Sequence, residues 1–139
     1  MDENQRFFDS ILLIHRRYVE ELNVMLSHYQ LSTAQWLLFK TIKQMSPTTL
    51  VEVAKVRSIE KPTATKIIQR LIELKYIITA PGQDKREKIL TLTPQGEQTY
   101  DEVMHKVKLI QSQSLESVDV SLVNIQLEPV IHYYHERKL

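Results

Sequence analysis

The sequence predicts a mainly α-helical protein that contains one short, two-stranded β-sheet. Apolar residues recur at three- and four-residue steps over most of the 139-residue chain, which is the spacing of helices with one buried face. Only two glycines are present, whereas proteins rich in strands and tight turns usually contain many. The length suits a single domain, residues 1–139, with a hydrophobic core of its own.

The N-terminal part of the chain predicts two helices. Residues 4–28 form a long helix whose apolar stripe is broader than one small domain can cover, so we expect a partner surface on it. Ser32 or Thr33 is the N-cap of a second helix, residues 34–43. This helix ends before Pro47, because the residue that precedes a proline avoids the α-helical region.

A short helix and a longer helix follow. Thr48 or Thr49 caps a helix that ends near Lys55, and residues 60–74 form the next helix. Pro62 lies in the first turn of that helix, where its missing N–H costs nothing. A short helix, a turn and a second helix with a polar, basic outer face are the order of a helix-turn-helix motif.

A hairpin follows the two helices. Residues 76–80 and 88–92 are rich in β-branched side chains, and a charged turn joins them, which predicts two antiparallel strands. Two strands with a charged tip after a helix-turn-helix predict a winged helix-turn-helix. Residues 30–93 are therefore expected to form a winged-helix lobe.

Long helices flank this lobe. Residues 94–117 and 120–134 form the last two helices, and Pro129 is expected to kink or shorten the second. Their apolar stripes exceed what the small lobe can bury. Residues 1–29 and 94–139 are therefore predicted to be dimerisation helices, since a two-fold partner would cover these stripes. A self-contained helical bundle in a monomer is the alternative.

The charges are distributed unevenly along the chain. The net charge is only +1, but residues 55–90 contain nine Lys or Arg against four Asp or Glu, a local balance of +5. The first thirty residues sum to −2 and the residues after Leu90 sum to −3. A basic middle between acidic flanks is expected if only the middle faces phosphate. A solvated basic face without a partner is the alternative.

Several classes of function are disfavoured by missing signals. The chain has no cysteine, which removes disulfides, thiolate metal sites and thiol-based redox sensing. The acidic, polar N-terminus does not resemble a signal peptide, and no run of about 18 apolar residues is present. We therefore expect a soluble, cytoplasmic protein without a membrane partner. The phosphate-loop, nucleophile-elbow and HExxH motifs are absent, so we expect no enzymatic activity and no cofactor.

The histidines do not predict a metal site. His132 and His135 are three residues apart and share one helix face, and His105 lies on another predicted helix. Zinc needs at least three protein ligands, and no Glu or His is spaced to supply the third ligand locally. A metal site completed by His105 from the other helix is the alternative. These histidines are expected to be solvated.

The outer face of residues 60–74 carries side chains suited to reading a DNA major groove. Groups near the N-terminal half of such a helix reach base edges, and groups farther along contact phosphates. The predicted DNA contacts on this helix are Lys61, Pro62, Thr63, Thr65, Lys66, Gln69 and Arg70. A solvated helix face is the alternative.

The charged turn of the hairpin carries a second set of predicted DNA contacts, namely Asp84, Lys85, Arg86 and Lys88. An arginine on a protruding hairpin can enter a narrow minor groove, where the negative potential is strongest. We expect Asp84 to hold the Arg86 guanidinium by a charge-assisted hydrogen bond. Lys85 and Lys88 would add attraction to phosphates. An exposed ion pair without a partner is the alternative.

The motifs of the lobe resemble those of the MarR family of bacterial regulators. Residues 50–54, 58–66 and 71–77 are similar to the helix-turn-helix of that family. Residues 84–86, followed by Ile-Leu-Thr-Leu-Thr-Pro-Gln-Gly over residues 89–96, resemble its acidic-x-Arg wing and its Leu-Thr-x-x-Gly exit. The similarity covers nearly the whole chain. The segment Ile-Glu-Lys-Pro-Thr at residues 59–63 looks most like the SlyA branch, and Tyr76 stands where the family more often has glycine.

This resemblance implies a sequence-specific regulator, usually a repressor, that binds a pseudo-palindromic operator as a homodimer. It also implies that Pro62, Thr63 and Lys66 lie nearest the bases. A small phenolic or other anionic effector is implied where the dimer helices meet the lobe. The candidate pocket residues are His15, Arg16, Tyr18, Trp36 and Phe39. Aromatic residues at helical spacing are more often plain core.

Two rival functions remain open from the sequence. A winged-helix interaction module would dock an acidic protein surface and would bind DNA weakly and without sequence preference. A helical small-molecule carrier would have no role on DNA, and the charge asymmetry and the wing argue against it. The operator, the regulated genes, the effector and the sign of regulation are not encoded in any motif of the chain.

Overall fold

The computed structural model describes residues 2–84 and 86–137. Within this part of the chain the mainly α-helical class is confirmed, and the elements are six α-helices and one two-stranded sheet. The helices are α1 (Glu3–Leu26), α2 (Thr33–Met45), α3 (Leu50–Arg57), α4 (Lys61–Glu73), α5 (Pro94–Ser114) and α6 (Val120–Glu136). The strands are β1 (Ile77–Pro81) and β2 (Lys88–Leu92), and a single 3-10 turn spans Ser27–Tyr29.

The chain forms two compact units, residues 1–105 and residues 106–139. In the first unit α2 packs against α1, α3, α4 and β2, and α4 packs against α3 and β1. The core of this unit lies where these elements meet. Its most deeply buried side chains include Trp36, Leu38, Phe39, Ile42, Val53, Leu71, Ile77 and Leu90.

The starts of α2 and α3 confirm one of the two N-caps predicted for each helix. Ser32 Oγ accepts a hydrogen bond from the Gln35 N–H at 3.2 Å, and the Gln35 side chain accepts one from the Ser32 N–H at 2.9 Å. This reciprocal capping box satisfies two amide groups that the helix itself leaves unpaired. Thr49 Oγ1 likewise accepts from the Glu52 N–H at 3.3 Å at the start of α3.

The turn between α4 and β1 depends on Lys75 rather than on Tyr76. The resemblance located the family's usual glycine at Tyr76, but the residue in the left-handed region is Lys75, with φ of 65°. Glycine is favoured at such a φ because it has no Cβ atom to clash with the backbone. Tyr76 is instead a core residue, 7% exposed, whose hydroxyl donates to the carbonyl oxygen of Tyr29 at 3.0 Å.

The two strands form an antiparallel hairpin that is tied to the start of α3. Ile77 pairs with Leu92 and Pro81 with Lys88. Thr48 extends this sheet by an isolated bridge, because its N–H and carbonyl each bond to the backbone of Leu90, at 3.3 and 2.7 Å. The middle of β2 is therefore fixed against the start of the helix-turn-helix.

In the second unit the last helix is longer than predicted. Asp119 caps α6 by accepting a hydrogen bond from the Leu122 N–H at 3.2 Å, and α6 continues through Pro129 to Glu136. Pro129 therefore does not shorten this helix, and the kink that was expected as the other possibility stays a prediction. Large apolar side chains of α6 are exposed in the single chain, among them Leu122, Ile125 and Ile131. None of the helices in the described residues is both long and apolar enough to cross a membrane.

Candidate nucleic-acid interface

One face of α4 is buried and the opposite face is open, as its pattern predicted. Ala64, Ile68 and Leu71 lie in the core. The predicted contact residues lie on the rest of the helix surface: Lys61, Pro62, Thr63, Lys66 and Gln69 are exposed, and Thr65 and Arg70 are half-buried. The polar surface of α4 is therefore accessible from its first turn to its last.

A groove of about 750 Å³ separates α4 and α3 from the hairpin. It brings together six of the predicted contact residues: Lys61, Thr65 and Gln69 from α4, and Asp84, Arg86 and Lys88 from the hairpin. Pro62, Thr63, Lys66 and Arg70 do not line it, and Lys85 lies outside the described residues. The groove unites helix and wing because the hairpin folds back beside α4.

The groove also has walls that the sequence reasoning missed. Val51 on α3 lines it with 61% of its surface exposed, and Ile72 on α4 lines it at 39%. Glu52 lines it too, and its carboxylate accepts a hydrogen bond from the Thr48 hydroxyl at 3.1 Å. One sequence signal marks Val51. It is an apolar residue of α3 that lies off the buried face formed by Val53 and Ala54. The groove thus combines cationic groups with an apolar wall.

The wing turn differs in detail from the prediction. Asp84 Oδ1 accepts a hydrogen bond from the backbone N–H of Arg86 at 3.1 Å, rather than from the guanidinium. No ion pair joins these two side chains among the described residues. Two backbone bonds tighten the same turn, from Gly82 N–H to the Glu87 carbonyl at 2.8 Å and from Glu87 N–H to the Asp84 carbonyl at 2.9 Å. Asp84 therefore shapes the turn that carries Arg86.

Arg70 is turned away from the groove. Its guanidinium donates to Gln30 Oε1 at 3.3 Å and to Glu73 Oε2 at 3.4 Å. Gln30 is itself held at a φ of 60° in the turn before α2. Arg70 thus links the end of α4 to the turn before α2, and a phosphate contact by this residue stays a prediction.

The five candidate pocket residues fall into different surroundings. Trp36 and Phe39 are core residues. The Trp36 ring stacks on Tyr100 with centroids 5.5 Å apart, and the Phe39 ring stacks on Tyr76 at 5.6 Å. His15 and Arg16 are exposed on α1, and Tyr18 is half-buried on the same helix. The ligand pocket stays a prediction.

Ionisable groups border this aromatic cluster. Lys43 donates a hydrogen bond to the carboxylate of Glu97 and lies over the Tyr100 ring. The hydrogen bond to Glu97 raises the pKa of Lys43, so the ammonium form is favoured there. Burial raises the pKa of Tyr76, because the phenolate would lose its hydration. The Lys43–Glu97 pair fastens α2 to the start of α5, and neither this pair nor Tyr76 lines the groove.

The histidines considered as metal ligands on the last helix lie on the surface. His132 and His135 are exposed on α6 in the second unit. Within residues 2–84 and 86–137, no three His, Cys, Asp or Glu side chains come together as they would around a metal ion.

A helix-turn-helix whose second helix shares a groove with a cationic hairpin defines a winged-helix DNA-binding protein. Residues 31–96 match the family model described as a winged helix DNA-binding domain. An uncharacterized HTH-type transcriptional regulator of Staphylococcus aureus strain Mu50 is 36% identical over 124 residues, which make up 88% of this chain and 85% of that protein. The chain belongs to the MarR family of winged-helix transcription regulators, and it is a DNA-binding regulator of that type.

Solved structures have the same fold. Staphylococcus aureus MarR, in complex with salicylate and kanamycin, is 32% identical and aligns with a TM-score of 0.84, covering 96% of this chain and 94% of that one. Streptococcus pneumoniae FabT, in complex with DNA, aligns with a TM-score of 0.80 over 96% of both chains at 17% identity. The second likeness concerns the fold alone.

Proposed function

We propose that the protein is a repressor that binds a pseudo-palindromic operator as a homodimer and is released by a small anionic molecule. The observation that carries the proposal is the shared groove: Lys61 and Thr65 of α4 face it from one side, and Arg86 and Lys88 of the wing from the other. A recognition helix in the major groove and a wing in the adjacent minor groove would each contact the duplex from this surface.

Exposed apolar helix faces support the homodimer. In the first unit, α1 leaves Phe8, Ile11 and Leu12 open to solvent, at 45%, 40% and 66% exposure. In the second unit, α6 leaves Leu122 and Ile125 open at 53% and 60%. Apolar faces of this extent are usually covered by a partner. A two-fold dimer would present two recognition helices to half-sites about one helical turn apart.

The assignments of individual DNA contacts follow from this arrangement. We assign base contacts to Lys61, Pro62, Thr63, Thr65 and Lys66, since they occupy the N-terminal half of α4. Gln69, Arg70, Lys85 and Lys88 are assigned to phosphates, and Arg86 to the minor groove. Asp84 acts by fixing the turn that presents Arg86.

An anionic effector is supported by one relative. The Staphylococcus aureus MarR structure, 32% identical to this chain, contains salicylate and kanamycin. Salicylate is both phenolic and anionic, which is the effector class that the resemblance implies. An effector of this kind would act by favouring a dimer whose two recognition helices no longer match the half-site spacing. Titrating salicylate into the dimer–operator complex tests this part, and release of DNA is expected.

The test of DNA recognition is selection of bound sequences from a random duplex pool. The selected duplex is then titrated against a scrambled duplex of equal length at two salt concentrations. We expect an enriched palindrome that binds far more tightly than the scramble, with affinity that falls steeply as salt rises. An unenriched pool with weak, sequence-blind binding would favour the interaction module that docks an acidic protein.

The sign of regulation needs a separate assay. The selected operator is placed across a promoter, and transcription is measured in vitro with and without the protein. Repression is expected, because a dimer that covers the promoter blocks the polymerase. Stimulated transcription would show an activator and would leave the DNA-binding assignment intact.

A further inference from the structure

The hydroxyl group of Thr65 is occupied by its own helix. Thr65 Oγ1 donates a hydrogen bond to the carbonyl oxygen of Lys61, one turn earlier in α4, at 2.9 Å. A threonine hydroxyl has a single proton, so this bond uses the only donor of the side chain. The groups that remain for a ligand are the γ-methyl group and the oxygen lone pairs.

Thr63 differs from Thr65 in this respect. Thr63 lies in the first turn of α4, which begins at Lys61, so the residue four positions earlier, Ile59, precedes the helix. The same bond to a helical carbonyl is therefore closed to Thr63, which is exposed. The two threonines lie two positions apart on one helix, yet only Thr65 has its donor committed to the backbone.

The surroundings of Thr65 favour an apolar contact. Thr65 is half-buried and lines the groove, whose apolar wall includes Val51 and Ile72. Phosphate oxygens and the N7 and O6 atoms of guanine need a donor, which Thr65 has already committed. The C5-methyl group of thymine is the apolar feature of the major groove, and threonine methyl groups are suited to contact it.

We propose that Thr65 reads the C5-methyl group of one thymine in each half-site through its own γ-methyl group. This inference rests on the proposed function, since it needs a specific operator. It goes further by naming the chemical group on the DNA, the thymine methyl, that Thr65 recognises. Thr65 is accordingly a specificity residue that selects thymine over cytosine by shape and apolar contact.

The test is a thymine-to-uracil scan of the selected operator. Each thymine is replaced in turn by uracil at equivalent positions of both half-sites, which removes the methyl group and keeps the base-pairing edge. At one position the wild-type dimer should lose about fourfold in affinity per half-site, the value of burying one methyl group. Thr65→Val keeps the methyl group and should keep this loss. Thr65→Ser removes the methyl group and should bind thymine and uracil duplexes equally.

Thr63→Val and Thr63→Ser are the matched controls, and neither should change the response at the Thr65-dependent position. Thermal melting checks that all four variants fold. The inference is overturned if Thr65→Ser still distinguishes thymine from uracil there, or if Thr65→Val no longer does. An operator without any uracil-sensitive position overturns this inference alone. A selection without any enriched motif overturns the proposed function together with it.

Discussion

Gly96 lies so close to Tyr76 that a Cβ atom on Gly96 would stand 1.9 Å from the Tyr76 carbonyl oxygen. The neighbouring bonds hold this approach in place. Thr93 N–H donates to the same carbonyl at 3.1 Å, and Thr93 Oγ1 donates to the Lys75 carbonyl at 2.6 Å. The first turn of α5 is therefore fixed backbone to backbone against the turn that begins the wing.

We expect Gly96→Ala to lower the free energy of unfolding by at least about 2–3 kcal/mol, because the obstacle is backbone that cannot rotate away. Urea unfolding followed by circular dichroism measures the change. Gln95→Ala is the control, since Gln95 is exposed in the same helical turn, and it should be nearly neutral. A Gly96→Ala variant as stable as wild type would show that α5 can shift from this turn.

Lys75→Gly should raise the free energy of unfolding by about 0.5–1 kcal/mol. Relief of the left-handed conformation at Lys75, φ of 65°, outweighs the entropy that glycine gains in the unfolded chain. Lys75→Ala retains the Cβ atom and is the control, with little change expected. A lower stability for the glycine variant in urea unfolding would contradict this account.

Arg86→Ala should weaken operator binding about tenfold or more, since each dimer loses two charged contacts with DNA. Asp84 bonds to the backbone of Arg86 rather than to its guanidinium, so the turn and the melting temperature should be unchanged. Fluorescence anisotropy with the selected operator gives the affinity. Gln83→Ala, in the same exposed turn, should bind like wild type. Unchanged affinity for Arg86→Ala would remove the wing from the interface.

Lys66→Ala should relax base preference at one or two operator positions, by roughly 1–3 kcal/mol for each lost bidentate contact. Repeating the selection with the variant shows which positions lose their preference. Lys55→Ala is the control, because Lys55 is an exposed cation of α3 that is not predicted to reach a base. The Lys55→Ala variant should select the same operator motif as the wild-type protein. A Lys66→Ala motif identical to the wild-type motif would make Lys66 a phosphate contact.

Ile11→Lys should shift the protein from dimer to monomer, because it places a charge in the middle of the exposed apolar stripe of α1. Asp9→Lys is the control. It introduces the same side chain on α1 about 160° around the helix from Ile11, at about 100° per residue, and this variant should remain a dimer. Analytical ultracentrifugation distinguishes the two. A dimer that survives Ile11→Lys would place the subunit contact elsewhere, and a monomeric wild type would contradict the homodimer.

The sequence by itself determined the order and type of the elements, because the signals for them are local. An N-cap bonds to an amide three residues away, as Ser32 does with Gln35, and an apolar stripe such as that of α4 is a property of one helix. The predicted set of DNA-contact residues also came from the sequence, since their chemistry and their place on α4 or on the wing are both local features, and the contacts themselves stay a prediction.

Only the tertiary structure decided which of these residues share a surface. Thr65 and Arg86 line one groove because the hairpin folds back beside α4 and Thr48 fastens it to the start of α3. The hydrogen-bond partners of the polar side chains likewise could not be determined from the sequence. Arg70 bonds to Gln30, far away in the chain, and the Thr65 hydroxyl bonds to its own helix. Hydrogen-bonding side chains can satisfy several partners, and their choice depends on how distant segments pack, which residue patterns do not encode.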